Sequence, residues 1–170
     1  MNWPIAERSA TPPMAILPII KHPHDVLRKK TEDIPVSRLK EKGFQQFLND
    51  MIETMYAAEG IGLAANQVGK SWNVCTIATK DGAVILVNPR IIRRGIMKQS
   101  EEEGCLSVPG LWGPVKRSKT LQFQALDRDG NQFPLTRAKG LFARVIQHEV
   151  DHLSGLLFID RAKRTFHHEN

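Results

Sequence analysis

QHEVDHL, residues 147–153, contains the pattern His-Glu-x-x-His. It sits inside GLFARVIQHEVDHLSG (140–155), where Leu141, Val145, Ile146 and Leu153 recur with helical period and Gly155 supplies a stop. The spacing predicts a helix. Residues four apart on a helix share a face, so His148 and His152 can reach one metal ion. Glu149 lies one residue round from His148, placed to touch a metal-bound water without ligating. The histidines fall on the stripe of Leu141 and Val145 and are expected to face inward. Buried imidazoles beside a carboxylate are costly unless they are satisfied, which favours a metal.

A catalytic metal usually takes three protein ligands, and this helix supplies two. Downstream stand only Asp160, Glu169 and the tail histidines His167 and His168. Upstream, Cys105 lies in EEEGCLSVPG (101–110), which shows neither helical nor strand period. Gly104 and Pro109 mark it as irregular backbone, where sites tend to sit. A thiolate binds Zn(II) or Fe(II) strongly. Cys75, inside the strand-like WNVCTIAT, reads as a small core residue. The residues alone favour Cys105 and leave Asp160 open.

Around this helix the chain reads as α+β, with mostly antiparallel sheets packed around the C-terminal HExxH helix. A long N-terminal amphipathic helix is predicted over 36–58, carried by Phe44, Phe47, Leu48, Met51, Ile52 and Met55 and ending at Gly60. WNVCTIAT (72–79) and AVILVNPRI (83–91) flank the turn signal KDG; TLQFQAL (120–126) and NQFPLT (131–136) flank DRDG. The organisation expected is an N-terminal extension over 1–13, a single catalytic domain over 14–164 and a polar tail over 165–170.

The chain has 170 residues, enough for one domain with a substantial core. At 41% hydrophobic and 25% charged it has an ordinary globular composition. No apolar run reaches the roughly 18–20 residues of a membrane span, so no membrane partner is expected. The net charge of +6 is compatible with a polyanionic partner. Aromatic and basic residues do not interleave as on an RNA-binding platform, so sequence-specific nucleic-acid binding is not expected. Two cysteines make no disulfide scaffold, which points to a reducing cytoplasm; the leader MNWPIAERSATPP leaves organellar targeting open.

GIGLAANQVG (60–69) contains a G-x-G-x-x-A dinucleotide fingerprint. That fingerprint needs a strand before it and a helix opening within it. Here a helix precedes and strand-like sequence follows, so the cofactor reading fails on context. The glycines instead suit close approach of backbone to a ligand or strand. Gln67 could donate to a developing oxyanion; periodicity alone reads it as a solvated loop side chain.

With these segments in hand, the chain resembles the peptide deformylases. That family carries G-x-G-L-A-A-x-Q, E-G-C-L-S and H-E-x-D-H, which stand here as GIGLAANQ (60–67), EGCLS (103–107) and HEVDH (148–152). The resemblance runs from about Met14 to Arg161. It implies Cys105, His148 and His152 as metal ligands, and Fe(II) as the cellular metal, with Zn(II), Ni(II) or Co(II) able to replace it. It implies hydrolysis of the N-formyl group of formyl-methionine on nascent peptides, with Glu149 moving the proton. Gln67 and the Leu106 amide would hold the oxyanion. Ile61, Gly62 and Gly104 would bind an extended peptide through main chain, and Leu141, Arg144 and Val145 would line the methionine pocket. Asp151 is expected in an ion pair rather than as a ligand. Some relatives continue into a basic helix that contacts the ribosome; this chain stops at Asn170, leaving its charge as the other route to a ribosome surface. Two competing readings remain: an endopeptidase whose third ligand is not Cys105, and a non-catalytic protein of this fold.

Overall fold

The computed structural model describes residues 15–133 and 136–167. The extension expected over 1–13 and the last three residues of the tail lie outside them. The fold is mixed α+β with antiparallel sheets, as the sequence predicts. Helix α1 spans Lys42–Ala57 and α2 spans Gly140–Leu153. Strands β1 (Gly62–Ala64), β2 (Val74–Thr79), β3 (Gly82–Arg94), β6 (Thr120–Leu126) and β7 (Arg137–Lys139) form one sheet in the order β1-β2-β3-β6-β7. Strands β4 (Lys98–Cys105), β5 (Val108–Ser118) and β8 (Phe166–His167) form a second.

The five-stranded sheet is covered on both faces. Val74, Ile85, Val87 and Leu63 point to α1, meeting Phe44, Phe47, Leu48, Met51 and Met55. Their neighbours Cys75, Ile77, Leu86 and Ala64 point the other way, to Ala143, Val145, Ile146 and Leu153 of α2. A strand buried on both faces needs no polar alternation, which is why β2 and β3 read as continuous apolar runs. The opposite side of α2 faces the three-stranded sheet through polar side chains: Gln147 bonds the Ser118 carbonyl at 3.0 Å and Arg144 the Val115 carbonyl at 3.0 Å. Helix α2 is therefore the rod between the two sheets.

Four local expectations change. The helix expected over 36–58 is broken: Val36–Lys40 is a 3-10 turn after Pro35, and α1 begins at Lys42. Its end uses Glu59 rather than Gly60 in the left-handed region, at φ 54. Gly60 is required for a different reason, since a Cβ there would sit 2.8 Å from Leu106 Cδ1. EEEGCLSVPG is not irregular: it is a hairpin of β4, a two-residue turn and β5. β4 is an edge strand whose solvent-facing glutamates erase the alternation. The partner of β6 is Arg137–Lys139, while within 131–133 only an isolated bridge at Gln132 forms. Phe166 and His167, read as polar tail, extend the second sheet by pairing with Trp112 and Leu111.

Candidate active site

Cys105 ends β4 at a register shift in the hairpin, and His148 and His152 project from successive turns of α2. The three side chains converge. Cys105 Sγ lies 3.2 Å from His152 Nε2, which lies 3.2 Å from His148 Nε2. All three donor atoms fall within 4.8 Å of one another, the one such cluster among the described residues. A tetrahedral ion at about 2.0–2.1 Å from nitrogen and about 2.3 Å from sulfur sets nitrogen pairs about 3.3 Å apart and nitrogen–sulfur pairs about 3.6 Å apart. The observed spacings are close to these.

The electrostatics also fit a cation. At 3.2 Å the two imidazole nitrogens either share a proton or, with both lone pairs turned inward, take a cation between them. Burial opposes a charged His148, yet the hydrogen bonds it donates to Cys105 and Glu103 push its pKa up to about 10. His152, 1% exposed, is held neutral by burial and by the charge on His148. A thiolate and two imidazoles form a donor set for a divalent ion of the Fe–Zn series. Asp160 stands apart in an ion pair with Arg28 at 2.5 Å.

Glu149 is 2% exposed, and its Oε2 has no hydrogen-bond partner. Burial pushes its carboxyl up to about 7 against the pull of His148. A Cβ on Gly62 would collide with this carboxylate and come within 2.9 Å of Val145 Cγ1. Glycine at 62 is thus what lets the edge strand β1 lie against the acid.

Gln67 is not solvated: it is 2% exposed. Its Oε1 accepts from the Ala64 amide at 2.8 Å, which turns its Nε2 toward Ser107 Oγ at 3.2 Å and Cys105 Sγ at 3.6 Å. An extended segment ties the glycine stretch to the hairpin turn, with Ile20 N–H donating to the Gln67 carbonyl and His22 N–H to the Ser107 carbonyl, each at 2.8 Å. Lys21 Nζ reaches the Leu106 carbonyl at 2.6 Å.

A cleft of about 500 Å³ opens over this chemistry. Ile61, Gly62, Gln67, Gly104, Cys105, Leu106, Leu141, Arg144, Val145, His148 and Glu149 all line it; His152 lies behind. Two edge strands, β1 and β4, bound it. Leu141, expected on the inward stripe, is 63% exposed at the rim. Arg144 lines the cleft but commits its guanidinium elsewhere, to Glu103 at 2.6 Å and Glu101 at 2.7 Å.

Sequence reasoning missed a buried ionic network beneath the cluster. Glu103 Oε2 meets His148 Nδ1 at 3.0 Å and Arg117 Nη2 at 2.9 Å. Arg117 also pairs with Asp151, which Arg161 Nη2 reaches at 2.5 Å. The ion pairing expected of Asp151 is therefore present. Burial works to raise Glu103, and the bonds from His148 and Arg117 overcome it, holding the carboxyl at about 2. A carboxylate on the far nitrogen of a ligating imidazole fixes the ring and its tautomer. Glu103 was visible in the sequence beside Cys105; Arg117, from a strand not anticipated, carried no local signal.

The profile of the family described as Polypeptide deformylase matches residues 16–167. The chain belongs to this family. Its members are metal-dependent hydrolases. The chain is similar to the peptide deformylase of Symbiobacterium thermophilum, 45% identical over 152 residues that cover 87% of this chain and 67% of that one. It is 44% identical to peptide deformylase 1 of Bacillus anthracis over 160 residues, covering 92% and 98%. Among solved structures it is similar to a peptide deformylase of Synechococcus elongatus in complex with actinonin, with TM-score 0.81 and 38% identity over 91% of this chain and 81% of that one. A class I type b peptide deformylase from Acinetobacter baumannii with Met-Ala-Ser bound superposes with TM-score 0.83 at 34% identity, covering 88% and 99%.

Proposed function

We propose that this chain removes the N-formyl group from N-terminal formyl-methionine of newly made polypeptides and releases formate. The observation that carries this reading is the buried Glu149 carboxylate, its Oε2 unpartnered, beside Cys105, His148 and His152 at the foot of a peptide-sized cleft. A divalent ion held by those three side chains would supply Lewis acidity, lowering the pKa of water and polarising the formyl oxygen. Fe(II) is the metal we assign in the cell, with Zn(II), Ni(II) or Co(II) able to take its place.

The chain's own residues do the rest. Glu149, with its carboxyl near neutrality, accepts a proton from the attacking water and delivers it to the leaving amine. The Gln67 amide, fixed by Ala64, and the Leu106 backbone N–H donate to the oxyanion that forms at the formyl carbon. The peptide runs extended between the β1 and β4 edges, bonding main chain at Ile61, Gly62 and Gly104 as an added strand does. Leu141, Val145 and the aliphatic part of Arg144 wall the methionine pocket. The A. baumannii relative is solved with Met-Ala-Ser bound, which supports a methionine-containing peptide as the class of ligand. We assign the described residues between 15 and 164 to one catalytic domain, with the short strand Phe166–His167 added to its second sheet. Two free cysteines, one buried and one in the cluster, suit a cytoplasmic setting.

The test is formate release from a formyl-Met tripeptide by anaerobically prepared protein reloaded with Fe(II) or Ni(II). Release that disappears in Glu149→Gln while the metal is retained supports the reading. No release from fully loaded wild type would overturn it.

A further inference from the structure

A second concavity, of about 840 Å³, lies away from the cleft. It is bounded by the end of β3, the β3–β4 turn, the β5–β6 turn and β7. Five of its lining residues are cations: Arg93, Arg94, Lys119, Arg137 and Lys139. None of its lining residues is acidic or aromatic. All five cations are exposed, and among the described residues none makes an ion pair. The interior arginines Arg117 and Arg144, by contrast, are each paired with two carboxylates.

The register concentrates this charge. Arg93 pairs across to Gln122, which pairs across to Arg137, so two arginines flank one residue in a cross-strand row. Strands about 4.8 Å apart put their Cα atoms roughly 10 Å apart. Like charges gathered this way repel unless an anion offsets them. The cleft has the opposite character at its rim, where Glu59, Glu101 and Glu102 stand. A polyanion is thus drawn to one face and repelled from the other.

We propose that this basic concavity docks the phosphate backbone of double-helical RNA. Arginine forks match phosphate and carboxylate oxygens alike, and what favours a phosphate backbone is its closely and regularly spaced charge, which can offset all five cations together. With no aromatic platform for unstacked bases, recognition is of backbone and shape rather than sequence. The concave form and the lack of aromatic anchors disfavour a flat bilayer, although Ile96 and Met97 stand exposed on the rim. Choosing RNA over DNA rests on the deformylase reading, because a newly made peptide is met beside the RNA of the machine that made it. Strand β4 runs from Lys98 near the concavity to Cys105, about 23 Å at strand rise, so docking here leaves the cleft open.

The probe is a labelled 20-base-pair RNA duplex, titrated by fluorescence anisotropy at several salt concentrations. The triple variant Arg93→Gln, Arg94→Gln, Arg137→Gln should bind at least about tenfold more weakly and show a salt slope lower by about 2–3. A second variant at the remaining two cations, Lys119→Gln with Lys139→Gln, should lower the slope by about 2. Formate release and thermal unfolding of both variants should match wild type, which separates docking from folding. Equal affinity and slope in wild type and both variants would overturn the proposal. So would tighter binding to vesicles of phosphatidylglycerol and phosphatidylcholine, or to polyglutamate, than to the duplex. Absent formate release from wild type would count against the catalytic reading alone, since RNA binding is measured independently.

Discussion

The two faces of α2 hold their neighbouring sheets by different physics. Toward the five-stranded sheet, Ala143, Val145, Ile146 and Leu153 interlock with Cys75, Ile77, Leu86 and Phe123 in a dry seam. Toward the three-stranded sheet, Arg144, Gln147, His148 and Asp151 meet Glu103, Arg117 and the strand carbonyls in an almost wholly polar seam. Hydrophobic burial is non-directional and tolerates small shifts, whereas a buried ion pair fixes distance and angle. His148, His152 and Cys105 all lie along the directional seam. The contrast suggests that the dry face supplies stability and the polar face supplies the sub-ångström placement that metal binding needs.

The largest effect expected is on chemistry. Glu149→Gln should lower kcat/KM for a formyl-Met peptide by at least about 10²–10⁴ while metal content stays near one per chain, read by elemental analysis alongside the assay. Equal loss of metal would place Glu149 among the ligands instead.

Next comes the polar seam. Arg117→Ala leaves Glu103 and Asp151 buried without their shared cation and should cost about 3–5 kcal/mol in chemical denaturation. A cost below about 1 kcal/mol would mean that this seam is solvated in solution. Cutting the dry seam is comparable but differs in kind. Ile146→Ala should cost about 2–5 kcal/mol yet leave kcat/KM of the folded enzyme within a few-fold of wild type.

Glu103→Gln sharpens the comparison, because it keeps shape while removing charge from His148 Nδ1. Metal affinity should fall about 10–100-fold in competition with a chelator. An unchanged affinity would show that the ring is held by helix geometry alone.

The smallest effect lies outside both seams. The Asp160 carboxyl is lowered, against the effect of burial, by hydrogen bonds from Arg28 and the Leu157 amide. A depressed folded pKa stabilises above the unfolded value of about 3.9 and is lost as pH falls through the folded value. Asp160→Asn should therefore lose a little stability at pH 6 and show a shallower decline below about pH 4. Parallel acid limbs for variant and wild type would count against this.

Legibility followed burial geometry. Helix α2 could be read because its dry stripe repeats with helical period, and β2 and β3 because a strand covered on both faces becomes an apolar run. The hairpin β4–β5 could not, because Lys98–Glu102 is an exposed edge on both sides and Gly104 is there for Trp112, whose ring a Cβ would meet at 2.9 Å. Gln67 was ambiguous for a related reason: only the Ala64 amide and the covering hairpin make it a buried, oriented donor.

By itself the sequence determined the kinds of chemistry present: two imidazoles and a carboxylate at helical spacing, a thiol between glycine and leucine, a glutamine after small residues. These follow from covalent order and helix period, which are local. Only the tertiary structure decided that Cys105 meets the histidines and that Glu103 and Arg117 clamp them. It alone gathered five cations from three separate segments into one concavity. Such contacts join residues far apart in the chain, and their free energy depends on burial and distance that no short stretch encodes.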